Sequence, residues 1–289
     1  MFLMNFSINN GKESIKLIEQ SLQTLTNHHF VQITSRGNSA ITLALSILPK
    51  DKTILIPEEG GWLHYRIGPR KLKLKTEEVR CQAAVIDLLD LQEKLIKFKP
   101  AAFIYQNPGG YFAKQPTAEI YKLCSKNNCL VILDVSGAVG TDFCRGKEAD
   151  IMVCSFGEDK LINAGFGGFV SCRDSKQWEK LKTVIESADE ILNDENKLKL
   201  ILEKIKALPQ RIAFLLKKRK QIVADLEAME IVHREVNGFV VVIKYSLENE
   251  KEKIINYCQK EKLPFTECPR YLRLKEKAIS IEFKQLLNE

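Results

Sequence analysis

Between residues 30 and 172 the chain alternates short apolar runs with segments whose apolar positions recur at helical spacing. Phe30-Val31-Gln32-Ile33-Thr34, Lys52-Thr53-Ile54-Leu55-Ile56-Pro57 and Ala101-Ala102-Phe103-Ile104-Tyr105 read as strands. So do Leu130-Val131-Ile132-Leu133-Asp134, Ile151-Met152-Val153-Cys154 and Phe169-Val170-Ser171-Cys172. Residues 39–48 and 117–127 read as helices. Strands that are apolar throughout and alternate with helices predict a mainly parallel α/β sheet covered on both faces. Ligands of such sheets bind beyond the carboxyl ends of the strands.

After about residue 174 the pattern changes. Residues 176–230 are long, helical and rich in Lys, Leu and Ile, with an interruption around Leu208-Pro209. Beyond them Phe239-Val240-Val241-Val242-Ile243 reads as a strand, residues 249–261 as a helix, and Ala278-Ile279-Ser280-Ile281-Glu282-Phe283 as a late strand. The expected division is a large α/β domain over 1–185, opened by an N-terminal helix, and linker helices with a small C-terminal α+β domain over 186–289. No internal repeat or low-complexity tract interrupts it.

Composition narrows the class. A chain of 289 residues, 45% hydrophobic and 28% charged, can bury a sizeable core. The excess of 44 Lys+Arg over 37 Asp+Glu gives +7, but the basic residues are dispersed. Dispersed charge reads as a solvated surface, so no nucleic-acid partner is expected. No run reaches the length of a membrane span, and Met1-Phe2-Leu3-Met4-Asn5-Phe6 is too short for a signal peptide. Eight scattered cysteines with no C-x-x-C pair read as reduced residues of a cytoplasmic protein. Four histidines without ligand spacing argue against a zinc site, and no metal is expected.

The chemistry concentrates at strand ends. Ser155-Phe156-Gly157-Glu158-Asp159-Lys160-Leu161-Ile162-Asn163-Ala164-Gly165-Phe166-Gly167-Gly168 links two apolar strands and carries a lysine that no local pattern requires. Asp134 ends another apolar strand 26 residues earlier, where an unpaired charge is costly. It either caps the following Val135-Ser136-Gly137-Ala138 segment or pairs with a cationic ring nitrogen. A lysine and an acid so placed are what pyridoxal phosphate asks for: the lysine holds the aldehyde as a Schiff base, and the acid keeps the pyridine nitrogen protonated.

The remaining candidates are each ambiguous alone. Gly37, Asn38 and Ser39 open a helix whose free N–H groups suit a phosphate, or form an ordinary N-cap. Ser155 can add a hydroxyl to the same phosphate, or be a turn residue. Asn107, in Asn107-Pro108-Gly109-Gly110, is a turn former or a donor to the phenolic oxygen of the cofactor. In Pro57-Glu58-Glu59-Gly60-Gly61-Trp62-Leu63-His64-Tyr65, Trp62 is the first candidate to stack on the pyridine ring, with His64 and Tyr65 behind it; core packing is the other reading. Together these residues follow the chain order that one cofactor needs.

Ser155-Phe156-x-x-x-Lys160-x-Ile162-x-x-Gly165-x-Gly167-Gly168 resembles the signature of the sugar-aminotransferase (DegT/StrS-like) family of fold-type I pyridoxal phosphate-dependent enzymes. Gly37-Asn38-Ser39-Ala40-Ile41 resembles that family's phosphate turn, and the likeness spans roughly residues 30–175. The resemblance implies a seven-stranded-type sheet, Lys160 as Schiff-base lysine and proton shuttle, and Asp134 on the pyridine nitrogen. It also implies a homodimer with active sites at the subunit interface. The chain departs from the pattern at Gly137, where the family carries Gln or His against the ring oxygen, and Asn107 is the candidate replacement. By analogy with amino-acid aminotransferases, Arg270 and Arg273 are candidates for a substrate carboxylate clamp, a bidentate task that suits arginine.

The expected activity is therefore a pyridoxal phosphate-dependent aminotransferase acting on a small amino-acid or amino-sugar type substrate. Two other readings stay open. One is a lyase or desulfurase on a sulfur or seleno amino acid, with Cys258 or Cys268 as persulfide carrier. The other is a non-catalytic binding protein that kept the fold.

Overall fold

The computed structural model describes residues 4–186 and 191–287; of the apolar N-terminal stretch, residues 1–3 lie outside it. The first half of the chain runs α1 (Met4–Thr26), β1 (Phe30–Thr34), α2 (Gly37–Ser46), β2 (Thr53–Pro57), α3 (His64–Lys71) and β3 (Lys75–Val79). A short hairpin, β4 (Cys81–Gln82) and β5 (Val85–Ile86), leads to α4 (Leu88–Phe98), β6 (Ala102–Gln106), α5 (Thr117–Lys126), β7 (Leu130–Asp134), β8 (Ile151–Ser155) and β9 (Gly168–Cys172). Then come α6 (Ser175–Ile185), α7 (Glu195–Lys206), α8 (Leu208–Asp225), β10 (Glu230–Ile231), β11 (Val241–Lys244), α9 (Glu248–Lys260), β12 (Phe265–Cys268) and β13 (Ala278–Ile281).

Seven strands form one sheet in the order β1-β9-β8-β7-β6-β2-β3. β3, β2, β6, β7 and β8 are parallel, while β9 runs antiparallel to both β8 and β1. The apolar runs are continuous because successive side chains enter cores on opposite faces. Val131 and Leu133 of β7 join Phe103, Tyr105 and Leu55 on one side. Ile132 joins Ile54, Ile104, Ile41 and Leu45 on the other, where α2 covers the sheet. Each such fully buried side chain contributes about 1.5–3 kcal/mol, so the sheet centre is strongly fixed.

The edge strand β3 escapes a pattern reading. Its sequence, Lys75-Thr76-Glu77-Glu78-Val79, is mostly polar because only one neighbour and one face cover it. β12 (Phe265–Cys268) lies at the edge of the second sheet for the same reason.

That second sheet is antiparallel, in the order β10-β11-β13-β12, and α9 packs on it. It meets the large sheet through loops at the carboxyl ends of the parallel strands. Gly60 N–H donates to the Tyr271 carbonyl over 2.8 Å, and Lys275 N–H donates to Glu59 Oε2 over 2.8 Å. Phe239 N–H donates to the Tyr111 carbonyl over 2.7 Å. Among the described residues no helix is long and apolar enough to cross a membrane.

Candidate active site

Register decides which loops converge. Gln106 lies opposite Asp134, and Asp134 opposite Val153, so β6, β7 and β8 end at one level. Ser155 pairs with Gly168 across β8 and β9, which turns residues 156–167 into a loop at that same end of the sheet. The loop is anchored by fully buried Phe156 and Ile162, and Phe156 N–H donates to the Gly167 carbonyl over 3.0 Å. Lys160 projects from it inward.

A small pocket opens there, lined by Gly37, Asn38, Trp62, Asp134, Ser155 and Lys160. Gln106, Tyr111, Ser136 and Cys154 complete its polar and sulfur lining. Lys160 Nζ donates to the Tyr111 hydroxyl over 2.7 Å and lies 4.8 Å from the Trp62 ring centre. Burial lowers the pKa of this amine, Asp134 works in the opposite direction, and Arg273 adds to the lowering. The ammonium form is thereby disfavoured relative to an exposed lysine.

Asp134 is 5% exposed, and both carboxylate oxygens are held. Oδ1 accepts the Ser136 N–H over 2.9 Å, and Oδ2 accepts the Tyr65 hydroxyl over 2.7 Å. Each oxygen has a second acceptor position, so the carboxylate can still take a ring N–H. Burial, followed by the charge of Asp134, raises the Tyr65 pKa well above its ordinary value and keeps it a donor.

The phosphate end is built by α2. Its N-cap, Arg36, offers no side-chain cap, and the first-turn N–H groups have no partner within the helix. A Cβ at Gly37 would run into the Ser155 side chain, so only glycine lets the two strand ends close up. Asn38 does not cap; its Oδ1 accepts the Trp62 Nε1–H over 2.9 Å and sets the plane of that ring. Ser39 places its hydroxyl 3.1 Å from that of Ser35, outside the cavity lining.

Several residues sit elsewhere than their sequence positions suggest. Asn107 does not face the cavity: its Nδ2 donates to the Phe143 carbonyl over 2.8 Å, and its Oδ1 accepts the Gln115 N–H over 3.0 Å. The neighbouring Gln106 faces the cavity instead, because side chains alternate along β6. Arg273 is not a free clamp. It is 7% exposed and its guanidinium is taken by Glu282, through Nε to Oε1 at 3.0 Å and Nη2 to Oε2 at 2.6 Å. Arg270 is exposed and lines no part of the cavity. His64 bonds Thr42 Oγ1 over 3.0 Å rather than stacking. Cys258 and Cys268 are buried in the C-terminal unit, away from the lysine.

Tyr111 carries no sequence signal, being one aromatic in a Gly-rich turn. Its ring occupies the space that a side chain at Gly137 would need, with the Cβ position only 2.7 Å from Tyr111 Cδ1. The residue at the position three beyond the acid is thus a glycine because an aromatic arrives from another loop.

Pyridoxal phosphate fits this lining. Gln106 Nε2 is buried without a partner and faces the cavity, as a donor waiting for an acceptor such as a ring oxygen. An uncapped helix start for the phosphate, a flat indole, a carboxylate and a primary amine surround the same space.

Residues 78–197 match the DegT/DnrJ/EryC1/StrS aminotransferase family model, and residues 209–289 match the MJ1341 family C-terminal domain. No curated protein sequence matches the chain. Among solved structures, 3-amino-5-hydroxybenzoic acid synthase superposes with a TM-score of 0.74 at 14% identity, covering 94% of this chain and 85% of that one. Helicobacter pylori PseC, an aminotransferase involved in the biosynthesis of pseudoaminic acid, gives 0.74 at 17% identity, covering 96% and 90%. A serine palmitoyltransferase from S. paucimobilis with a bound PLP-myriocin aldimine gives 0.71 at 13%, covering 96% and 78%. By its match over residues 78–197 and its fold, the chain is a pyridoxal phosphate-dependent enzyme of the aminotransferase type that resembles the DegT/StrS-like family.

Proposed function

We propose that the chain transfers an amino group between small amino-acid or amino-sugar type substrates, with Lys160 as the lysine that holds the cofactor. The observation that carries this reading is Lys160 and Asp134 lining one cavity together with the uncapped start of α2. Bound there, pyridoxal phosphate supplies an electron sink for the carbon next to the substrate nitrogen.

The chain's own residues divide the remaining work. The α2 first turn, with Gly37, Asn38 and Ser39, and the Ser155 hydroxyl receive the phosphate. Trp62 offers a flat face held by Asn38. Asp134, oriented by Tyr65 and Ser136, keeps a ring nitrogen protonated. Lys160 takes and returns a proton at Nζ, which its burial makes easier by lowering the cost of the neutral amine. Gln106 offers its amide N–H where the sequence suggested Asn107.

We read residues 1–185 as the cofactor-binding unit and 186–289 as the unit that closes it. We further read the enzyme as a cytoplasmic homodimer. Leu63 and Ile67, 47% and 46% exposed shortly after Trp62 in the chain, support an apolar contact on that side.

The deciding experiment is an absorbance spectrum of the purified protein with pyridoxal phosphate, followed by borohydride reduction and peptide mapping. A visible band with the reduced adduct on Lys160 is expected. Lys160→Ala should lose band and turnover yet remain folded; full turnover in that variant overturns the reading.

A further inference from the structure

Three cations surround one ring. Lys160 Nζ lies 5.1 Å from the centre of the Tyr111 ring, the Lys284 ammonium 5.2 Å from it, and the Arg273 guanidinium 5.4 Å. Two of these belong to the C-terminal unit, and Glu282 is the anion they share. Arg273 takes it with two hydrogen bonds, at 3.0 and 2.6 Å. Lys284 reaches the same Oε2 only at 3.5 Å. One carboxylate therefore faces two buried cations, and Lys284, 6% exposed, carries the surplus charge.

Tyr111 is held in place for this arrangement. Its φ of 71° is the left-handed region that side chains rarely adopt. Its carbonyl accepts the Phe239 N–H, its ring packs on Gly137, and its hydroxyl accepts from Lys160. Strain kept by contacts on several sides is characteristic of functional positions. The C-terminal unit thus touches the active-site loop both mechanically and electrostatically.

We propose that Lys284 is a positioning residue of the C-terminal unit, whose surplus buried charge acts across Tyr111 to disfavour a proton on the Lys160 amine. Like charges in one low-dielectric region disfavour each other's protonated forms. The groups that face Lys160 are Asp134 from β7, Cys154 from β8, Asp159 from its own loop, Tyr111, and the Arg273–Glu282–Lys284 cluster. Asp134 and Asp159 favour the Lys160 ammonium and Arg273 opposes it. The Lys284 pKa is itself lowered, by burial first and with Lys160 among the opposing charges, and a repulsion between two like charges acts on both. With both amines within about 5 Å of the same ring centre, removing one charge relieves the other and makes it easier to protonate.

The inference rests on Lys160 being the reactive amine but is tested without cofactor. In the cofactor-free full-length protein, the rate of Lys160 acetylation by acetic anhydride is followed against pH by mass spectrometry. Lys284→Met should raise the Lys160 pKa by about one unit, slowing acetylation about tenfold at a pH below it. Lys284→Arg, which keeps the charge, should behave as the wild type. An unchanged pKa in Lys284→Met overturns the proposal, as does an equal rise in Lys284→Arg, which would mark a packing effect. If Lys284→Met does not fold, Lys284→Gln, which keeps a donor toward Glu282, takes its place with the same expectation. With pyridoxal phosphate added, the visible band should titrate with a pKa shifted the same way. A wild type without any band would refute the functional reading, while the acetylation result would still decide this one.

Discussion

Tyr65 donates its hydroxyl to Asp134 Oδ2 over 2.7 Å, and both residues are buried, Tyr65 in the first turn of α3 and Asp134 at the end of β7. A carboxylate at that depth survives only with such partners. Tyr65 stands in the first turn of α3, three residues after Trp62 in the preceding turn, so one β2–α3 connection both orients the acid and supplies the indole.

Tyr65→Phe should lower stability by about 1.5–3 kcal/mol, the range for a hydrogen bond to a charged group. The loss should shrink at saturating pyridoxal phosphate, because a ring N–H gives the carboxylate a new donor and binding stabilises the folded state. Thermal unfolding of both proteins with and without cofactor measures it. An equal loss under both conditions would separate Asp134 from the cofactor.

Asp134→Asn keeps the shape and removes the charge. The protein should fold, with turnover and cofactor affinity each reduced about 10- to 100-fold, the equivalent of one charge-assisted hydrogen bond. Cofactor titration by absorbance provides the check, and wild-type affinity would contradict the assigned role.

Gly137→Ala puts a Cβ about 2.7 Å from Tyr111 Cδ1. The ring must shift, at a cost of about 1–3 kcal/mol for an overpacked site, and the Lys160–Tyr111 bond should be lost with it. Chemical denaturation gives the first effect, and the pH titration of Lys160 gives the second.

Glu282 sets an acid limit on stability. Burial would raise its pKa, but Arg273 and Lys284 hold it down to about 2. A carboxylate with a lowered folded pKa stabilises fully above its unfolded value, near 4.5, and loses that contribution as pH falls toward 2. The wild type should lose about 3 kcal/mol across that window from this group. Glu282→Gln should be less stable at neutral pH, by about 3–5 kcal/mol for a broken buried pair, and flatter between pH 4.5 and 2. Urea denaturation at several pH values tests both parts.

The strand ends were readable because burial on both faces makes each parallel strand an unbroken apolar run, and the first polar residue after it marks the end. Asp134 and Ser155 are such residues, and both line the cavity. Gly37, Asn38, Trp62 and Lys160 follow strands closely enough to be found the same way. The choice between Asn107 and Gln106 was not readable at that level. It depends on which of two adjacent residues the pleat turns inward, and Asn107 has backbone partners at residues 115 and 143 that only the folded chain brings near.

The sequence by itself determined the class of sheet, the lysine and the acid, since these follow from local periodicity and from charged residues placed where burial is costly. Only the tertiary structure decided what surrounds them. Arg273, in the loop before β13, looks like a free cation until Glu282, nine residues on and just beyond that strand, is found against it. Tyr111 looks like a turn residue until the gap at Gly137 and the amine of Lys160 are found against it. Electrostatic and packing effects depend on distance in space and on the loss of water, and neither is encoded in separation along the chain.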